Sequence, residues 1–221
     1  MDVGAVLQQM HQIYLANPEL AVRGQAFINL LHEALSNDFQ ARLSPKALRR
    51  ATTIKKEATI FGSHKPKNVD VSIIDPENGP LLMVGIRSQM SSIANNAPNY
   101  YEGIIGECIS LQDRFPMAVV GYVYLMPVKP IKVGKEHEII HHSRYARMYD
   151  AITGRGGQAY KDMRGIYDQF AYVIADFVGT PPKLCDELLP SDLEHDLRIS
   201  TFVDRMVQTF KSRHIFLDVF T

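Results

Sequence analysis

Two charged side chains stand in strands that should be apolar. Asp70 interrupts the β-branched run "NVDVSIID", and Arg87 closes "PLLMVGIRS". A carboxylate on one strand beside a guanidinium on the next suits a salt bridge tying two strand ends, and two opposite charges so placed are also a candidate site for chemistry. A second constellation, "HEIIH" (His137, Glu138, Ile139, Ile140, His141), satisfies H-E-x-x-H. On a helix that spacing puts two imidazoles on one face for zinc, with the glutamate as the base of a peptidase. Its setting is poor. "KVGKE" before it lacks the apolar face that buries such a motif, and Arg144 and Arg147 occupy the Gly and second His positions of the longer peptidase signature. A third ligand from Glu187 or Glu194 is conceivable, but a polar, His-rich segment is the plainer reading.

The surrounding pattern says how the first pair is positioned. Apolar side chains at three- and four-residue intervals in "VGAVLQQMHQIYLA" and "GQAFINLLHEAL" predict two helices, broken near Asn17-Pro18, the second over Gly24 to Leu35. The segments "EATIFG", "NVDVSIID" and "PLLMVGIRS" read as strands, and "PENG" between the last two suits a tight hairpin turn. Strand periodicity puts Asp70, Ser72 and Ile74 on one face and Val69, Val71 and Ile73 on the other. In the partner strand Leu81, Met83, Gly85 and Arg87 share a face, and the turn at Pro76 to Gly79 brings its far end back beside Asp70. A helix over "NYYEGIIGECISLQDRF" and a doubly covered strand, "MAVVGYVYLM", follow. Beyond Pro127 the clearest helices are "DMRGIYDQFAYVIADFV" and "ISTFVDRMVQTFKSR", with "TPPKLCDELLPSD" as a loop between them. The expected fold class is α/β.

Composition bounds the function. The 221 residues are 46% hydrophobic and carry 24 basic against 24 acidic side chains, enough for one domain over 1–221 with a full core. No targeting signal opens the chain, and no apolar run approaches the roughly 18 residues that span a bilayer, so a cytoplasmic protein without a membrane partner is expected. Cys108 and Cys185 lie in unrelated contexts and read as buried thiols. Zero net charge argues against a nucleic-acid-binding surface over the whole molecule but permits local patches. Two are visible: Arg42, Lys46, Arg49, Arg50, Lys55 and Lys56 before the first strand, and Arg144, Arg147 and Arg155 interleaved with Tyr145 and Tyr149. Both are candidate contacts for a duplex backbone, and both read equally as solvated charge.

The order helix, strand, Asp-bearing hairpin, polar signature, helix and buried strand resembles the core of the PD-(D/E)xK nuclease superfamily, to which many restriction endonucleases belong. "GIRSQMSSIANN" and "ISLQDRFPMAVVGYVYL" carry the local likeness, which covers about 24–126, leaving 127–221 as a helical extension. The resemblance implies a mixed β-sheet core flanked by helices, hydrolysis of double-stranded DNA, and Mg2+, or Mn2+ in its place, on Asp70. Homodimers are common in that superfamily, since a two-fold protein matches a two-fold site. The sequence departs from the signature: Gly85 and Arg87 stand where the family has Glu and Lys. Glycine cannot bind metal, and arginine stays charged where a base must titrate, so Arg87 suits a phosphate clamp. The missing carboxylate would come from Glu33, Glu102 or Glu107, with Gln89 and Ser88 as polar helpers. The alternative is a catalytically degenerate DNA-binding or assembly protein on the same fold.

Overall fold

The computed structural model describes residues 1–19, 24–130, 139–155 and 165–221. The chain forms helices α1 (Val3–Ala16), α2 (Gln25–Ala41) and α3 (Pro45–Arg49), strands β1 (Thr53–Phe61), β2 (Pro66–Asp75) and β3 (Gly79–Ser88), then helix α4 (Ile93–Arg114). Strand β4 (Val119–Pro127), helix α5 (His142–Asp150), strands β5 (Gln169–Asp176) and β6 (Lys183–Leu184) and helix α6 (Phe202–Arg213) complete it. The strands make one six-stranded mixed sheet in the order β1-β2-β3-β4-β5-β6. The pairs β1–β2, β2–β3 and β5–β6 are antiparallel, whereas β3–β4 and β4–β5 are parallel.

Alternation along the strands sorts the core into two layers. Val123 and Leu125 of β4 and Val173 of β5 pack with Leu31 and Leu35 of α2 and Met206 of α6. Tyr122, Tyr124, Phe170 and Tyr172 point the other way, toward Ile104 and Cys108 of α4 and Tyr149 of α5. All nine residues of β4 are buried, because both faces are covered. Cys108 and Cys185 are free, buried thiols. Among the described residues no helix is long and apolar enough to cross a membrane.

The hairpin forms at the expected turn, where Gly79 takes φ 74°. Fully buried Asp75 accepts hydrogen bonds from the backbone N–H groups of Glu77 and Asn78 and from the Thr52 hydroxyl. Other expectations need correction. The run "DQFAYVIADFV" is not helical over 169–176: it is β5, parallel to β4, so the sheet does not end at Met126 and 127–221 is not purely a helical extension. A strand buried on both faces has no polar face to reveal its period. The basic segment does not precede every strand either, since Lys55 and Lys56 lie within β1.

One buried base sets an acid limit. His142 is buried, its Nδ1 2.7 Å from the Tyr172 hydroxyl, and burial lowers its pKa from 6.5 to about 4. Between those values the unfolded chain takes up a proton that the folded chain refuses, so this site's contribution to stability falls as pH falls through the window. Urea midpoints at pH 7 and pH 5 should therefore differ less in His142→Asn than in the unsubstituted chain; an equal difference would exclude His142 as the cause.

Candidate metal centre

The site begins where two strands part. β2 and β3 pair from Asp75↔Gly79 to Val71↔Val84, with a one-residue register shift between Ile73 and Ile74, and then diverge. Beyond that point the Ile86 N–H donates to the Asp70 carboxylate. On the other side, β1 and β2 pair at Lys56↔Val71 and at Ala58↔Val69 but not between, where Glu57 takes the left-handed value φ 52°. The distortion has a visible consequence. Val71 and Ile73 pack in the layer under α2, but Val69 packs in the opposite layer, so Val69, Val71 and Ile73 do not share the face that simple alternation assigns them. Asp70 sits at the break, its carboxylate near α2.

His32 comes to meet it. It lies on the buried stripe of α2 with Ile28, Leu31 and Leu35 and is 2% exposed. Its Nδ1 is 3.1 Å from Glu57 Oε1, and its Nε2 is 4.0 Å from Asp70 Oδ1. The Glu57 contact fixes the tautomer with the proton on Nδ1, leaving the Nε2 lone pair facing the Asp70 oxygen. Nε2 meets no hydrogen-bond partner among the described residues. Two acceptors face each other across 4.0 Å, which is the arrangement a cation between them resolves. One donor atom from each of His32, Glu57 and Asp70 can be chosen so that all lie within 4.8 Å of one another. Opposite ligands of a first-row ion span about 4.2 Å, so the 4.0 Å between Nε2 and Asp70 Oδ1 suits one ion, with Glu57 holding the far ring nitrogen. Burial raises the Asp70 carboxyl to a pKa of about 6, helped by the carboxylates of Glu57 and Glu107 and opposed by the Ile86 N–H and by Lys67. Burial likewise lowers the pKa of His32. Desolvation is the largest cause of both shifts.

The cluster opens into a cleft of about 370 Å³ whose other walls include Gln25, Lys67, Gly85, Arg87 and Ser88. Lys67 reaches the cleft from β2, held by Glu107 of α4 at 2.6 Å. Arg87 does not form the simple strand-end pair with Asp70. Its guanidinium lies 4.1 Å from the centre of the Tyr100 ring, and it shares the cleft wall with Tyr122. Tyr122 also explains the glycine: a Cβ on Gly85 would sit 2.5 Å from Tyr122 Cε2. The ring is buried and cannot swing aside, so a carboxylate at position 85 is sterically excluded. Gly85→Ala should lower stability by about 1–3 kcal/mol through overpacking. Urea denaturation at neutral pH measures this, and an unchanged midpoint would mean the ring yields.

The remaining candidates fall elsewhere. Glu33, next to His32 in sequence, projects to the surface and pairs with Lys56 at 3.2 Å. Glu102 is exposed, and Glu107 serves Lys67 at the edge of the cleft instead of joining the donor set. Gln89 is not a cleft residue: it is buried, accepts from the Tyr124 hydroxyl and donates to Ser92 O, whereas neighbouring Ser88 does line the cleft. The first basic patch splits. Arg42 lies at the end of α2 away from the cleft, about 25 Å along the helix from Gln25. There Arg42 pairs with Asp38 and Asp204, Lys46 with Asp218, and Arg50 with buried Asp75; Arg49 is exposed nearby. Lys55 and Lys56 flank the cluster, two residues and one residue before Glu57. Arg144 and Arg147 line an open groove with Tyr101, the neighbour of Tyr100, and Arg147 pairs with Asp192. Arg155 is withdrawn from any surface role, because it is 2% exposed and bound to Asp168. In the H-E-x-x-H motif, His137 and Glu138 lie outside the described residues; His141 caps α5.

Comparison with protein-family models, curated proteins and solved structures finds no match to this chain. Sequence reasoning missed His32, Glu57 and Lys67. A histidine on the apolar stripe of a helix was the one available signal for His32, and nothing local marks the other two.

Proposed function

We propose that the chain hydrolyses DNA phosphodiester bonds with a divalent metal ion, on a sheet of the PD-(D/E)xK kind. The observation that carries this reading is the convergence of buried His32 with Glu57 and Asp70 at the strand fork, where the two carboxylates line one cleft with the cations of Lys67 and Arg87. A bound divalent ion there would polarise a phosphoryl oxygen and lower the pKa of a water toward neutrality. The protein's own groups do the rest. Arg87 stays charged and, stacked on Tyr100, presents a fixed guanidinium to phosphate oxygens. Lys67, oriented by Glu107, supplies a compact positive charge beside the cluster. Lys55 and Lys56 lie close enough along β1 to meet flanking phosphates.

A second reading, a DNA-binding or assembly protein without catalysis, is favoured by one observation: the Tyr122 ring occupies the space that a side chain at position 85 would need. The two separate on mixed-sequence duplex DNA incubated with protein and either Mg2+ or Mn2+. Cleavage that stops on adding a chelator supports hydrolysis. Duplex retained but intact with both ions, by folded protein, overturns it in favour of binding.

A further inference from the structure

We infer that the His32, Glu57 and Asp70 centre takes a divalent transition ion of the Mn2+ class in preference to Mg2+. The inference rests on the proposed function only in sharing its metal site. Mg2+ holds oxygen ligands in a near-ideal octahedron and gives up its water reluctantly, so protein sites for it are built from carboxylates and carbonyls. Here the innermost donor is an imidazole nitrogen. His32 is 2% exposed, its Nε2 has no hydrogen-bond partner among the described residues, and it points at Asp70 Oδ1 4.0 Å away.

A buried imidazole with an idle lone pair is poorly used by Mg2+, whereas first-row transition ions accept nitrogen ligands, with affinity lowest at Mn2+ and rising through Fe2+, Co2+ and Ni2+ to Cu2+. Glu57 strengthens the case. Its oxygen 3.1 Å from Nδ1 accepts the other ring proton, which raises the basicity of Nε2 and fixes its direction. With Glu57 on the far ring nitrogen, the Asp70 carboxylate and one imidazole leave further coordination positions open toward the cleft that Asp70 lines.

The test uses the metal alone, without DNA. Titration calorimetry of the full chain with MnCl2 and with MgCl2 should give a Kd at least tenfold lower for Mn2+. His32→Gln replaces the nitrogen donor with an amide oxygen of similar reach. It should weaken Mn2+ binding at least tenfold and change Mg2+ binding by less than about threefold, while circular dichroism shows the fold intact. Equal affinity for the two ions overturns the inference, as does an equal loss of both in His32→Gln. Absence of binding by either ion at millimolar concentration also overturns it. Should His32→Gln unfold, Mn2+ resonance of the unsubstituted protein decides: nitrogen hyperfine coupling supports the inference, and an all-oxygen spectrum sinks it. The function fails separately, by a chain that binds Mn2+ in this way yet leaves duplex DNA uncut.

Discussion

Asp168→Ala should lower the unfolding free energy by about 3–5 kcal/mol, a loss large enough to leave many chains of this size partly unfolded. Asp168 is 1% exposed, at the entry to β5. One carboxylate oxygen accepts the Val120 N–H at 2.7 Å, joining β5 to β4. The same group binds Arg155 at 3.3 Å and, from α6, Arg213. Both guanidinium groups also donate to Ala118 O, and Arg213 donates to Arg155 O. Removing the carboxylate takes away the negative charge shared by two buried cations and leaves the Val120 N–H without its acceptor, so the desolvation already incurred by both cations is no longer offset. Asp168→Asn keeps an acceptor for Val120 and should fall between Ala and the unsubstituted chain. Urea denaturation gives all three values. An Ala variant within 1 kcal/mol of the unsubstituted protein would mean that the cations reach water, contrary to their burial.

The second large effect concerns activity without loss of fold. In the hydrolysis reading, Asp70→Asn should reduce metal-dependent cleavage about 10³-fold or more, since it removes a charged donor at the reacting centre. The same change should leave the metal-free protein as stable as before, or more so. Asn still offers an oxygen to the Ile86 N–H, the contact that Asp70 makes at the fork. The pKa direction gives the sign. Folding raises the Asp70 carboxyl from 3.8 to about 6, so the folded state keeps its proton over a window where the unfolded chain has lost it. Stability from this group therefore declines as pH rises from about 4 to about 6 and is lowest above that window. An uncharged amide escapes the penalty. Thermal melting at pH 7.5 with chelator present should show an equal or higher midpoint for Asp70→Asn, paired with lost cutting. A lowered midpoint would recast Asp70 as a structural residue, and unchanged cutting would remove it from the chemistry.

Local pattern was enough for much of the frame. The stripe Phe27, Ile28, Leu31 and Leu35 specifies α2 wherever the rest of the chain goes, because a helix with one apolar face must bury it. The turn residues after Asp75 specify the hairpin, and the unbroken apolar run of β4 specifies a strand covered on both sides. The sequence alone also marked Asp70 as a charge out of place, and Gly85 and Arg87 as departures from a familiar signature. It misread β5, since a strand buried on both faces carries no alternation to distinguish it from a buried helix.

What only the tertiary structure decided is which groups stand with Asp70. Glu33 and His32 are adjacent in sequence, yet 100° of helical rotation sends one to Lys56 on the surface and the other into the core. Glu57 joins them because β1 kinks opposite Asp70, and Lys67 because β2 leaves β3 just beyond it. Gly85 is glycine because a ring 37 residues further on fills its side-chain space. Each of these facts depends on the packing of one element against another. Spacing along a chain fixes neighbours within a helix or strand, but contacts between elements are set by register and by the point where a sheet divides.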